Sequence, residues 1–433
     1  MAHALRRLTP EARRSQIIAA AREVFLRHGF AGTRVHDIAA QAGISDNWIY
    51  MRFATKAAIY EAAVTEPLDA MVDELIQATG DVTKAGPSGL EERQRVLERF
   101  HRVLLTHMLQ AAPLLAVALF SDPEAGRRYY REVVLPRFTE AVAAVIGDIT
   151  GWPAESLRLD LMVEAVLGLH FGLALDSVFD EHSVDPVAVS RQLAVMFGSG
   201  ITDDMHPKGL TLSRPTARTA EPSPFRPLPV DAGAVEATPS RSRMPAAQRR
   251  AQIARAAREV FVERGPAGAR TKEIAERAGI TEAFMFRVFN GKEDLYREAV
   301  EAPAESLLAR LPAEMRRIAG ADGGGVATLA ALLECGLAIL SETAPTLVVA
   351  LFSDMDRGRR FYRRAVIPAL REAQGYLAAV PGWDTTGVDR EILWRAIFGV
   401  QFGTVVHHLL TEEPLDPART GRRLTRLIAT GIR

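Results

Sequence analysis

Asp37-Ile38-Ala39-Ala40-Gln41-Ala42-Gly43-Ile44-Ser45-Asp46-Asn47-Trp48-Ile49-Tyr50 is the stretch that decides the fold. The pattern predicts a short helix from Val35 to Gln41, a turn at Ala42-Gly43-Ile44 and a second short helix from Ser45 to about Arg52. Each residue type fits its place. Ala39 is small where two helices cross closely, and Gly43 tolerates the backbone geometry of a tight turn. Ile38, Ile44 and Ile49 supply a shared apolar core, and Ser45 is a good N-cap. Upstream, Glu11 to Arg27 puts Ile17, Ala21, Val24 and Phe25 on one helical face, and Gly29 stops it. The layout is a helix-turn-helix, whose second short helix presents its N-terminal residues to a DNA major groove.

The layout occurs twice. With Gln16 laid on Gln252, an offset of 236, Ala20-Ala21-Arg22-Glu23-Val24-Phe25 falls on Ala256-Ala257-Arg258-Glu259-Val260-Phe261. Gly43, Ile44, Phe53, Lys56 and Tyr60 fall on Gly279, Ile280, Phe289, Lys292 and Tyr296 without a gap. Further on, Ala118-Leu119-Phe120-Ser121-Asp122 falls on Ala350-Leu351-Phe352-Ser353-Asp354, and Gly168 and Phe171-Gly172 fall on Gly399 and Phe402-Gly403. The offset drifts only to 231, so the chain is a duplicated unit of about 200 residues. Boundaries follow: heads at 1–64 and 246–300, helical bodies at 65–201 and 301–433, and a Pro-rich linker at 202–245. Glu91 to Phe120, bent or broken near Pro113, and Leu159 to Phe179 read as long helices. No run alternates with a strand's period, so the expected fold class is all-α.

Bulk properties agree. The 433 residues are 48% hydrophobic and 24% charged, an ordinary globular composition. The one cysteine, Cys335, excludes an internal disulfide and reads as a small buried hydrophobe. Net charge is zero but uneven: residues 1–64 carry +4, residues 241–300 carry +5, and the remainder −9. Two basic blocks suit an anionic partner met at two places. Arg6, Arg7, Arg13 and Arg14 flank no clean apolar stretch, so no signal peptide is expected. Met108 to Phe120, broken by Gln110 and Pro113, reads as a buried helix rather than a membrane span, and a cytoplasmic location is expected. Gly323-Gly324-Gly325 lacks the spacing and lysine of a phosphate loop, and the adjacent His407-His408 do not face a common metal. Neither an enzyme nor a cofactor or metal is expected.

The stretches Ile17-Ile18-Ala19-Ala20-Ala21-Arg22-Glu23-Val24-Phe25, Gly29-Phe30 to Thr33, Asp37-Ile38-Ala39, Ala42-Gly43-Ile44-Ser45, Ile49-Tyr50-Met51-Arg52-Phe53 and Lys56 resemble the TetR family of transcriptional regulators. The resemblance covers roughly residues 12–64 and again 248–300. It implies two tandem units, each with a three-helix DNA-binding head and a helical domain for ligand binding and dimerisation. It also implies a repressor released from double-stranded DNA by a small apolar or amphipathic molecule. Thr33, Ser45, Tyr50 and Lys56 match positions that hold the phosphate backbone, a task suited to hydroxyl and ammonium groups. Asp46, Asn47, Trp48 and Met51 stand at the front of the recognition helix, where Asn47 suits a base edge. Trp48 packs on thymine methyls or sugar in one reading and against its own domain in the other. In the second unit Thr281, Arg287 and Lys292 remain as phosphate contacts, beside Glu282, Ala283 and Phe284. Phe286 stands for Tyr50 and Ala269 for Thr33, so the second head is expected to bind weakly or read a different half-site.

His170 and Phe171 lie in an apolar helix and either border a ligand cavity or pack in the core. The rival function is an architectural DNA-binding protein without ligand sensing. Both copies keep the end of the unit that dimerises in the family, from Leu159 to Ile201 and from Ile392 to Ile432. A linker of about 40 residues spans more than a domain diameter at roughly 3 Å per residue. The two units are therefore expected to pair within one chain as a pseudo-dimer.

Overall fold

The computed structural model describes residues 9–82, 90–150, 159–180, 184–199, 245–320, 325–377 and 389–430. The expected linker lies outside them except for Pro245. Helices fill the described residues, with no strand among them. The first unit runs α1 (Pro10–Gly32), α2 (Val35–Ala42), α3 (Asp46–Tyr50), α4 (Lys56–Tyr60), α5 (Glu66–Val82), α6 (Leu90–Phe120), α7 (Pro123–Tyr129), α8 (Leu135–Thr150), α9 (Leu159–Asp180) and α10 (Pro186–Ser199). The second repeats it as α11 (Ala246–Gly268), α12 (Thr271–Arg277), α13 (Glu282–Val288), α14 (Lys292–Tyr296), α15 (Ala302–Ala319), α16 (Gly325–Phe352), α17 (Met355–Phe361), α18 (Ile367–Leu377), α19 (Arg390–Thr411) and α20 (Pro417–Thr430). Single π-helical turns join α4 to α5 and α7 to α8, and recur at both equivalent places in the second unit.

Local chemistry accounts for the head. Thr9 caps α1, and Gly29, at φ +65°, breaks its helical path before a last turn. Gly43 ends α2 in the left-handed region, at φ +65° and ψ +34°. Ile17, Val24, Phe25, Ile38 and Ile49 close a fully buried core. Two ties recur in both copies. Gln16 donates to Ala42 O at 2.7 Å, as Gln252 does to Ala278 O at 2.9 Å. Arg22 donates to Ala63 O at 3.1 Å, as Arg258 does to Ala299 O at 3.0 Å.

In the bodies, α6 is not broken at Pro113, and α16 likewise runs through the equivalent Pro345. Packing outweighs the one backbone bond that each proline removes: Ala112, Leu114, Leu115 and Ala116 beside Pro113 are all buried. Helices at Glu91–Phe120, Leu159–Phe179 and Val326–Phe352 are long and apolar enough to cross a membrane, and most of each is buried inside the protein. Cys335 is buried, as its apolar neighbours implied.

The units meet along α9 and α19, which cross antiparallel. A methyl placed on Gly168 would lie 2.7 Å from Gly403 Cα, and one on Gly172 would collide with Gly399 Cα. Only hydrogens fit at this crossing. Nearer the heads, Phe120 stacks on its counterpart Phe352 at 4.4 Å, and Phe171 and Phe179 flank Phe352. The heads touch as well. A methyl on Gly32 of α1 would reach Ala267 Cβ of α11 at 3.4 Å, and His28 of the first head stands 3.5 Å from Asp354 of the second body.

Candidate nucleic-acid interface

The turn at Gly43 sets α3 across the end of α2, with Ile49 as its buried anchor. The opposite side of α3 faces solvent. Trp48 is 43% exposed, Tyr50 56% and Met51 64%, and apolar side chains open side by side mark an interaction surface where scattered single ones do not. Ser45 and Asn47 are exposed beside them, and Asp46 is half-buried with an oxygen 3.2 Å from His36 Nδ1. Trp48 is exposed and at the same time flanked by side chains of its own head. Its ring is open to solvent, yet Arg13 and Arg52 stand 5.6 and 5.5 Å from its centroid. These two arginines put positive charge beside an aromatic face, a contribution the sequence pattern did not single out.

The second head is built alike and differs in chemistry. Thr281 accepts from Phe284 N at 3.2 Å as the N-cap of α13. Ser45 makes no such bond, so its side chain does not cap α3 as expected. Glu282 accepts from the Thr271 hydroxyl. Ala283 and Arg287 are exposed, and Arg287 stands 4.9 Å from the ring of half-buried Phe284. Phe286, the counterpart of Tyr50, is 44% exposed. It was read from sequence only as a lost hydroxyl, and the structure makes it part of the open face.

Three residues expected to hold phosphate have partners inside their own head. Thr33 is buried and donates to Gly29 O at 2.7 Å, closing the break in α1. Lys56 donates to Phe30 O at 2.9 Å and Thr33 O at 3.0 Å, and its ammonium lies over the Phe30 ring. Lys292 donates to Ala269 O at 2.6 Å. Burial lowers the pKa of both lysines. Carbonyls freed at the broken helix end need donors, and these lysines supply them.

His170 and Phe171 pack in the core, the second of the two places the sequence left open for them. His170 is fully buried, its Nδ1 lies 2.6 Å from Val166 O, and its Nε2 lies 3.1 Å from His101 Nδ1. A neutral ring that donates through Nδ1 must accept through Nε2, so His101 donates to His170. Phe171 belongs to the aromatic cluster between the units. Neither lines the cavities of about 340 and 50 Å³ found elsewhere. Burial holds the His170 imidazole down at about 4 and His101 well below its ordinary value. Their folded pKa values lie below the unfolded one, so the unfolded chain takes up protons first as pH falls. Stability is full above about pH 6.5 and is lost toward pH 4, by roughly 3 kcal/mol from His170 alone. Thermal unfolding measured across that window is expected to flatten when both histidines become glutamine; an unchanged slope would refute the assignment.

The model of the family described as bacterial regulatory proteins, tetR family, matches twice, at residues 17–63 and 253–299. The HTH-type transcriptional activator FasR of Mycolicibacterium smegmatis is 35% identical over 75 residues, 17% of this chain and 34% of that protein. The match thus spans about a third of that relative. Among solved structures, the fatty acid degradation regulator FadR from Bacillus halodurans aligns at 19% identity and a TM-score of 0.36, over 43% of this chain and 96% of that one. The FadR of Bacillus subtilis in complex with stearoyl-CoA aligns at 20% identity and a TM-score of 0.35, over 42% of this chain and 99% of that one.

Proposed function

Because the chain belongs to the TetR family of bacterial regulatory proteins, as a tandem duplication, we propose that it is a sequence-specific DNA-binding transcriptional regulator whose two heads read unlike half-sites. The observation that carries this is the open aromatic front of each second short helix. Asn47 and Trp48 read bases in the first head, and Tyr50 and Ser45 hold phosphate. In the second head Ala283, Phe284 and Phe286 give an apolar front, and Thr281 and Arg287 hold phosphate. Footprinting on the gene's own upstream DNA tests the reading, and two unequal protected half-sites are expected. Tyr50→Phe should weaken binding to all sequences by roughly two- to tenfold. Trp48→Ala should cost roughly 5- to 150-fold, at one half-site only. No footprint on any fragment, or equal losses at both half-sites, would sink it.

The heads act as one pair within a single chain. Steps of four residues along α9 support this, since Glu164, Gly168, Gly172 and Asp176 meet His407, Gly403, Gly399 and Arg395 in turn. Arg395 pairs with Asp176, which also accepts from the Tyr362 hydroxyl at 2.8 Å. At the other end Tyr130 Oη lies 2.9 Å from His407 Nδ1, and His407 Nε2 is 3.7 Å from Glu164. Burial lifts the Glu164 carboxyl to about 7 and holds His407 down at about 4, so this end is a polar contact. A first unit facing its own copy would bring Glu164 against Asp176. A second unit facing its copy would leave Arg395 without a carboxylate. Only unlike units fit.

We take the regulation to be repression relieved by a small ligand. The cavity of about 340 Å³ beside the first head favours this over a purely architectural role, because pockets for small molecules run to such sizes. A reporter fused to the footprinted promoter should rise when the gene is deleted.

A further inference from the structure

The two copies differ most sharply where head meets body. In the second unit Arg357 of α17 lies across the Tyr296 ring, 4.4 Å from its centroid, and pairs with Glu293 and, at 3.7 Å, Glu301. Glu293 belongs to α14 of the head, so the arginine latches head to body. The tyrosine is repeated in the first unit as Tyr60, and Asp354 as Asp122. The latch is not. Ala125 stands for Arg357, Ala57 for Glu293 and Thr65 for Glu301. All five of these first-unit residues line the cavity of about 340 Å³.

We propose that this cavity binds an organic cation, a guanidinium or ammonium head on a short apolar body, which takes the place that Arg357 fills in the second unit. Tyr60 and Tyr129 supply aromatic walls whose faces attract cations, and Phe30 adds a third wall that already carries the Lys56 ammonium on one side. Glu132 stands where the second unit has Arg364, so the exchange of that residue also turns the site toward positive charge. Asp122 adds a second carboxylate, partly engaged in accepting from Ala125 N at 3.0 Å. Arg128, the one cation in the lining, is exposed to solvent. Tyr60 donates to Val117 O at 3.3 Å and Tyr129 to Asp69 at 2.8 Å, so both rings are held in position. The walls come from head and body alike, so a guest fixes the angle of the first head while the second stays latched. That regulatory consequence rests on the reading of the protein as a ligand-released regulator; the binding site does not.

Calorimetric titration of the full chain, without DNA, separates the two. Benzylguanidinium should bind with a stoichiometry of one, and neutral benzylurea and anionic phenylacetate roughly tenfold or more weakly. Ala57→Glu, Thr65→Glu and Ala125→Arg together rebuild the latch and should abolish binding. Glu132→Gln keeps the cavity's shape and should weaken the cation severalfold without changing benzylurea. The proposal fails if benzylguanidinium does not bind at millimolar concentration or if phenylacetate binds as tightly. It also fails if the rebuilt latch leaves affinity unchanged.

Discussion

Reversing Glu164→Arg and Arg395→Glu together should turn a particle of 47.3 kDa into one of twice that mass. The native seam sets Arg395 against Asp176, the latter almost fully buried. After the reversal two carboxylates meet at that end and an arginine faces His407 at the other. Losing a buried pair costs about 3–5 kcal/mol, and less here because the Arg395 side chain keeps 27% of its exposure. The same reversal makes each unit complementary to its own copy in a second chain, so pairing between chains becomes the favoured arrangement. Adding Asp176→His and His407→Asp restores complementarity within the chain and should restore the single mass. Light scattering at micromolar concentration reads all three states. A native particle already of double mass, or a reversed protein of unchanged mass and stability, would remove charge as the basis of the pairing.

The second large effect belongs to the glycines between those charges. Gly168→Ala with Gly172→Ala should lower the unfolding temperature by roughly 2–7 °C, since each forced insertion costs about 1–3 kcal/mol and the unfolding entropy grows with the length of the chain. The obstacle is backbone of α19, which cannot swing aside as a side-chain tip does. Gly375→Ala in α18 is the control. Nothing lies within 4 Å of a methyl there, and helix propensity alone should make it neutral or slightly stabilising. Binding to a complete operator should fall in the double variant, and binding to an isolated half-site should not. An unfolding temperature unchanged from the native protein would falsify the close crossing.

The sequence made some of this plain and hid the rest for physical reasons. Gly43, Ala39 and the three isoleucines specify a local motif, and local motifs depend on neighbours a few residues apart. The repeat was legible because duplicated residues stay in register over long stretches. The partners of Thr33 and Lys56 inside the head were not legible, because a broken helix end and a DNA phosphate ask for the same chemistry, a donor near bare oxygens. Nothing in the spacing tells which oxygens are nearer. Spacing left His170 between cavity and core because a helix buried all round has no face that periodicity can assign to either. The cavity near Tyr60 lay in a difference between the copies, visible at Ala125 against Arg357 only once the fold put both beside an aromatic ring.

The antiparallel register of α9 and α19 has a consequence for inheritance. In a seam between identical helices every substitution is present twice, and each change at one end is mirrored at the other. Here position 164 can change while 395 does not, so selection can try one end of the seam at a time. The route back is harder. A half that again had to pair with its own twin would need Glu164 or Asp176 replaced, and a change at Asp176 gives up its pair with Arg395 in the present seam. Divergence of the two halves therefore works as a ratchet, and each further difference between them deepens the dependence of one half on the other.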